Sequence, residues 1–123
     1  MGDLTKNISR YELRCKCGNC NYQSMDIETI NAIQGACDHF SLELGFRVTL
    51  YITSAARCFK YNLVVGSNDD SMHPRMCAID HYIKGVSMKE LFDYYNNKYP
   101  GKFGIGLYKL FVHLDSRPNQ ARW

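Results

Sequence analysis

No part of the 123-residue sequence approaches the run of roughly 20 apolar residues that crosses a bilayer, which excludes a membrane-spanning helix. The opening residues Met1-Gly2-Asp3-Leu4-Thr5-Lys6 lack the basic-then-apolar order of a secretory signal. The chain is therefore expected to be made and kept in the cytoplasm until something else releases it. A strong excess of either charge is missing too. The formal balance is +3, with Lys and Arg scattered rather than clustered, so no nucleic-acid partner is expected. Nor does any cysteine have a convincing basic partner nearby in sequence, which argues against a thiol nucleophile.

What remains suits one domain over residues 1–123, with 46% hydrophobic and 22% charged residues, one core and a monomeric state. Between Met25 and Leu44, Ile27, Ile30, Ile33, Cys37, Phe40 and Leu44 recur at the three- and four-residue spacing of one helical face. Asp26 or Ser24 can cap its start and Gly45 its end. Arg47 to Ser54 alternates and is rich in β-branched residues, the pattern of a strand. Ala78 to Ile83 reads as a second strand. Ser87-Met88-Lys89-Glu90 has capping-box form and opens a second helix that Pro100-Gly101 closes. Residues 103–108 and 111–114 are extended runs close enough to pair as a hairpin. The expected fold class is α+β, a small, mainly antiparallel sheet backed by two helices.

Six cysteines are many for a cytosolic chain. Cys15, Cys17 and Cys20 fall within six residues, and Cys17-x-x-Cys20 has the spacing of half a structural zinc knuckle, for which Cys58 is the first candidate to complete the ligands. A disulfide from this cluster to Cys58, and reduced thiols packed as small apolar residues, are the competing readings. A zinc-knuckle nucleic-acid binder is disfavoured by the missing basic surface.

The chemistry concentrates in two places. His73 and Asp80 lie seven positions apart, and His113 follows in a later extended run. Together they offer an N, O, N ligand set that leaves one zinc position open. Pro74 forces His73 out of helical geometry, so a loop residue and a strand residue converge. Asp69 and Asp70 are alternative carboxylates on paper. His81 should face away from Asp80, because strand neighbours alternate, and it reads as structural. His39 reads as a partly exposed polar residue of the first helix.

Ser71-x-His73-x-x-Met76-x-Ala78-x-Asp80 resembles the S-x-H-x-x-G-x-A-x-D signature of the zinc D-Ala-D-Ala carboxypeptidases and related phage endolysins, with Met76 in place of the usual glycine. Ser54-Ala55-Ala56-Arg57 resembles the family's S-x-x-R segment, and Asn62-Leu63-Val64-Val65-Gly66 its N-x-x-V-G. His113-x-Asp115-x-Arg117 and Arg122-Trp123 resemble its closing H-x-D-x-R and R-W. The resemblance covers roughly residues 45–123 and implies a fold like that of the Hedgehog and D-Ala-D-Ala peptidase domains. It selects His73, Asp80 and His113 as ligands of Zn2+. It gives Arg57 a role in substrate binding or oxyanion stabilisation, and it places Ser71 with the substrate.

The implied activity is hydrolysis of peptidoglycan stem peptides by a metal-activated water, as a carboxypeptidase or an endolysin-type endopeptidase acting on the wall after release. The residues just before His113 include no carboxylate, whereas several related peptidases have a glutamate there. Asp115 is then the nearest base, or else a partner that fixes the His113 tautomer. Arg117 can pair with Asp115 or with a substrate carboxylate. Tyr108 either donates to a developing oxyanion or merely packs. The alternative function is a zinc-binding domain of the same fold without hydrolysis, used in binding or assembly.

Overall fold

A computed structural model describes residues 5–13, 26–55 and 78–123. Helix α1 (Ile27–Leu44) starts where Asp26, in extended conformation, accepts a hydrogen bond from Thr29 N at 3.3 Å, satisfying a donor that a helix start leaves open. It stops at Gly45, whose φ of 81° suits a residue without a Cβ. Helix α2 (Met88–Lys98) opens on the expected capping box. Ser87 Oγ accepts from Glu90 N at 3.1 Å, and the Glu90 carboxylate accepts from Ser87 N at 3.2 Å.

The described strands are β1 (Leu50–Ser54), β2 (Ala78–Ile83), β3 (Gly104–Leu107), β4 (Val112–Asp115) and β5 (Ala121–Arg122). They form one sheet in the order β1-β2-β4-β3-β5, antiparallel except for the parallel β3–β5 pair. The class is α+β.

Several boundaries differ from the sequence expectation. The first strand begins at Leu50 rather than Arg47 because side chains claim the preceding backbone. Val48 N donates to Ser41 Oγ at 3.1 Å and Val48 O accepts from Asn7 Nδ2 at 2.9 Å. The run at 103–108 contracts to Gly104–Leu107. Phe103 has a φ of 67°, outside strand geometry, and Tyr108 N turns back to Phe111 O at 3.1 Å. The run at 111–114 becomes Val112–Asp115, since Asp115 pairs with both Ala78 and Gly104. The two-residue strand β5 was not anticipated. It is anchored by Arg122, whose guanidinium donates to Asn96 Oδ1 and to the carbonyls of Phe103, Ala121, Tyr99 and Lys102.

Alternation along β2 and β4 separates core from chemistry. Ile79, Ile83, Val112 and Leu114 are buried in the core with Ile30, Ile33 and Phe40 of α1 and Leu91 and Tyr95 of α2. His81 joins this face as the structural residue expected. The Ile79 carbonyl can only accept, so Nδ1 of His81 carries the proton and donates at 3.1 Å, while Nε2 accepts from the Tyr95 hydroxyl at 2.7 Å. Burial pulls its pKa down to about 4. Asp80, His113 and Asp115 occupy the other face.

Candidate active site

Antiparallel pairing sets Asp80 directly opposite His113 and Gly106, on the far strand, opposite His113 in turn. The Asp80 and His113 side chains therefore meet across two strands, and Nδ1 of His113 lies 2.8 Å from Asp80 Oδ1. Two residues along β4, Asp115 points the same way, with Oδ2 2.7 Å from His113 Nε2. Both ring nitrogens thus face carboxylates.

Asp115 is held from four further directions. Arg117 donates to it from Nε and Nη2, each at 2.7 Å, a bidentate pair, and the amides of Gly104 and Arg117 each donate to Oδ1 at 3.1 Å. Burial alone would raise its pKa, but the hydrogen bonds from His113 and Arg117 outweigh burial and hold the carboxyl well below the usual carboxylate range. An ionised Asp115 only accepts, so Nε2 of His113 carries a proton. Burial also acts on His113, pulling its pKa down, yet hydrogen bonds and charge from Asp115 and Asp80 leave it raised overall.

Two glycines make room for this arrangement. A Cβ at Gly104 would collide with the Asp115 carboxylate and with Arg117 Nε. A Cβ at Gly106 would stand 2.5 Å from Trp123 Nε1. Trp123 lies over the cluster, its ring centroid 5.1 Å from that of His113 and 5.2 Å from Arg117 Cζ. Its indole N–H donates to Tyr108 Oη at 2.6 Å, and Tyr108 stacks on Phe111 at 4.6 Å. Cavities of about 490 Å³ between α1 and α2 and about 470 Å³ beside β1 share no residue with this cluster.

Of the residues singled out in the sequence, Asp80, His113, Asp115 and Arg117 come together, and Tyr108 joins them through Trp123. Arg117 pairs with Asp115, one of its two expected partners. Ser71, His73, Arg57, Met76, Asp69 and Asp70, and Cys15, Cys17, Cys20 and Cys58, lie outside the described residues. Gly104, Gly106 and Trp123 were not assigned site roles from the sequence. The Gly-x-Gly spacing in an otherwise apolar run was the available signal, since glycine inside a strand marks a close approach.

Among the described residues no three His, Cys, Asp or Glu side chains form a group able to hold a metal ion. The donor pair itself fits one. The Nδ1–Oδ1 contact marks the place that a cation shared by the two groups would take. Two ligands on one tetrahedral zinc, at about 2.0–2.2 Å from it, stand only slightly farther apart than this pair.

A family model described as Peptidase M15 matches residues 6–115. The chain belongs to the peptidase M15 family. Neither the curated proteins nor the solved structures compared with it gave a match. The match in this M15 chain spans Asp80, His113, Asp115 and both glycines, while Arg117 and Trp123 lie beyond its end. Family membership supports a metallopeptidase acting on a peptide substrate. No helix among the described residues is long and apolar enough to cross a membrane.

Proposed function

We propose that this M15 chain is a zinc-dependent peptidase that hydrolyses peptidoglycan stem peptides, either as a D-Ala-D-Ala carboxypeptidase or as an endolysin-type endopeptidase. The observation that carries this reading is the meeting of Asp80 Oδ1 and His113 Nδ1 at 2.8 Å, with the far side of the imidazole fixed by Asp115. Zinc dependence is general in the M15 family. The α+β sheet is in keeping with a Hedgehog and D-Ala-D-Ala peptidase type of fold in a single domain.

Asp80 and His113 would hold the ion together with His73, whose part rests on the sequence motif. Bound there, zinc supplies Lewis-acid polarisation of a peptide carbonyl and a water whose pKa falls to about 7. The protein's own groups prepare the rest. Asp115 keeps the proton on Nε2 and so leaves Nδ1 as the nitrogen that would face an ion shared with Asp80. Arg117 keeps Asp115 ionised. A carboxylate held this far below its ordinary range is a weak base near neutral pH, so of its two expected roles we assign Asp115 the orienting one. Tyr108 accepts from the indole through its oxygen and retains its own proton for a developing oxyanion. Arg57 and Ser71 are assigned to substrate binding on the motif.

The same clamp on Asp115 favours a second reading, a zinc-binding domain of this fold that serves in binding or assembly without turnover. Incubation of the purified protein with peptidoglycan, with and without a chelator, separates the two. Chelator-sensitive release of new peptide termini, restored by added zinc, is the result expected. A protein that binds zinc stoichiometrically and releases nothing would leave only the binding reading.

A further inference from the structure

Trp123 is an apolar side chain with an unusual amount of support for one that remains open to solvent. Its backbone is locked to β3 on both sides, Trp123 N donating to Ile105 O at 3.1 Å and Leu107 N to Trp123 O at 2.8 Å. Its ring is fixed at one end by the hydrogen bond to Tyr108, which is in turn stacked on Phe111. Space beneath it exists because Gly106 has no Cβ, and Arg117 lies against the ring. Core aromatics held this firmly are normally covered, as Tyr95 is at 0% exposure, yet Trp123 is 45% exposed. A rigid aromatic face left open beside polar chemistry is the arrangement of a ligand-site wall.

We infer that Trp123 is a specificity-determining wall of the substrate cleft, whose open indole face packs the small apolar side chain of the residue adjoining the cleaved peptide bond. This rests on the peptidase reading above. The ring centroid stands 5.1 Å from that of His113, and Gly106 beneath the indole pairs with His113 from the strand opposite β2, so a peptide held at the Asp80–His113 pair lies along the same face of the sheet as the indole. An alanine methyl fits there, because the face offers area without a hydrogen-bonding group. The indole N–H is already committed to Tyr108, which makes the wall apolar and fixes its angle.

The test uses zinc-loaded protein and two stem peptides that differ only at that residue, alanine against glycine. A methyl group packed on a hydrophobic wall is worth about tenfold or more in kcat/KM, so the wild type should prefer alanine by that ratio. Trp123→Ala should bring the ratio close to one through KM while keeping its zinc, and Trp123→Phe should retain most of it. A second readout needs no turnover. Trp123 is the only tryptophan in the chain, so its fluorescence should become shielded from acrylamide when the alanine peptide saturates the protein, with saturation followed by calorimetry. An unchanged alanine-to-glycine ratio in zinc-replete Trp123→Ala, or unaltered quenching at saturation, overturns the wall while leaving the peptidase reading standing. If the wild type neither binds nor cleaves either peptide, both readings fall together.

Discussion

Asp115 accepts the Nε2 proton of His113 at 2.7 Å while the bidentate guanidinium of Arg117 holds that same carboxylate from the other side. An imidazole oriented in this way presents a single nitrogen to Asp80, and zinc affinity should depend on the pair. Asp115→Asn removes the charge that fixes the tautomer, and outer-shell changes of this kind typically lower metal affinity about 10- to 100-fold. Chelator competition on the variant checks this. Full zinc affinity with turnover abolished would instead return Asp115 to the role of base.

On the proposed zinc reading, a proton and a metal ion would compete for Nδ1 of His113. The hydrogen bonds from Asp115 and Asp80 raise the pKa of the ring above its ordinary value, so below that raised value a proton must leave before zinc can bind. Apparent zinc affinity should therefore fall as pH falls through this range, by up to about tenfold per pH unit for one displaced proton. Calorimetry in buffers of different ionisation enthalpy would count the proton released. A count of zero near pH 6 would contradict this account.

Gly104 and Gly106 admit no side chain. At Gly104 an added methyl meets Asp115 and Arg117, and relieving that overlap should cost about 1–3 kcal/mol, read as a lower urea midpoint, along with weaker zinc binding. Gly106→Ala should displace Trp123 instead, shifting the emission of the only tryptophan and leaving the Asp115 contacts in place. Equal effects of the two changes on zinc binding would show that they do not act through separate neighbours.

On the other face of the sheet, His81 is buried in its neutral form with a pKa of about 4 against an ordinary 6.5. Between these values the unfolded chain binds the proton and the folded one does not. Stability should fall as pH drops through this window, by about 3 kcal/mol in all, and the loss is complete below pH 4. His81→Gln offers Tyr95 an acceptor without a titrating ring. The difference between the pH–stability curves of the two proteins isolates this contribution, since His113 and Asp115 are common to both. Parallel curves would rule it out.

The sequence made the Asp80–His113–Asp115 face legible because strand alternation is a local rule and the three residues obey it. Caps were legible for the same reason, as Ser87 and Glu90 lie three residues apart. What escaped depends on partners far along the chain. Val48 looks like strand, but the side chains of Asn7 and Ser41 take up its backbone carbonyl and amide. Strand β5 has two residues and no periodicity of its own. It forms because Arg122 binds carbonyls at the end of α2 and in the loop that follows, and only then does Trp123 arrive over His113.

Strands β2 and β4 each carry the hydrophobic interior on one side and the candidate catalytic groups on the other. Inserting or deleting one residue midway along either strand would turn the segment beyond it over, sending acids and imidazole inward and exposing isoleucine and leucine to water. Insertions within β2 or β4 should therefore abolish folding outright rather than yield a stable but inactive protein. Changes of activity that keep this fold should therefore come from substitutions at alternate strand positions and from the connecting loops.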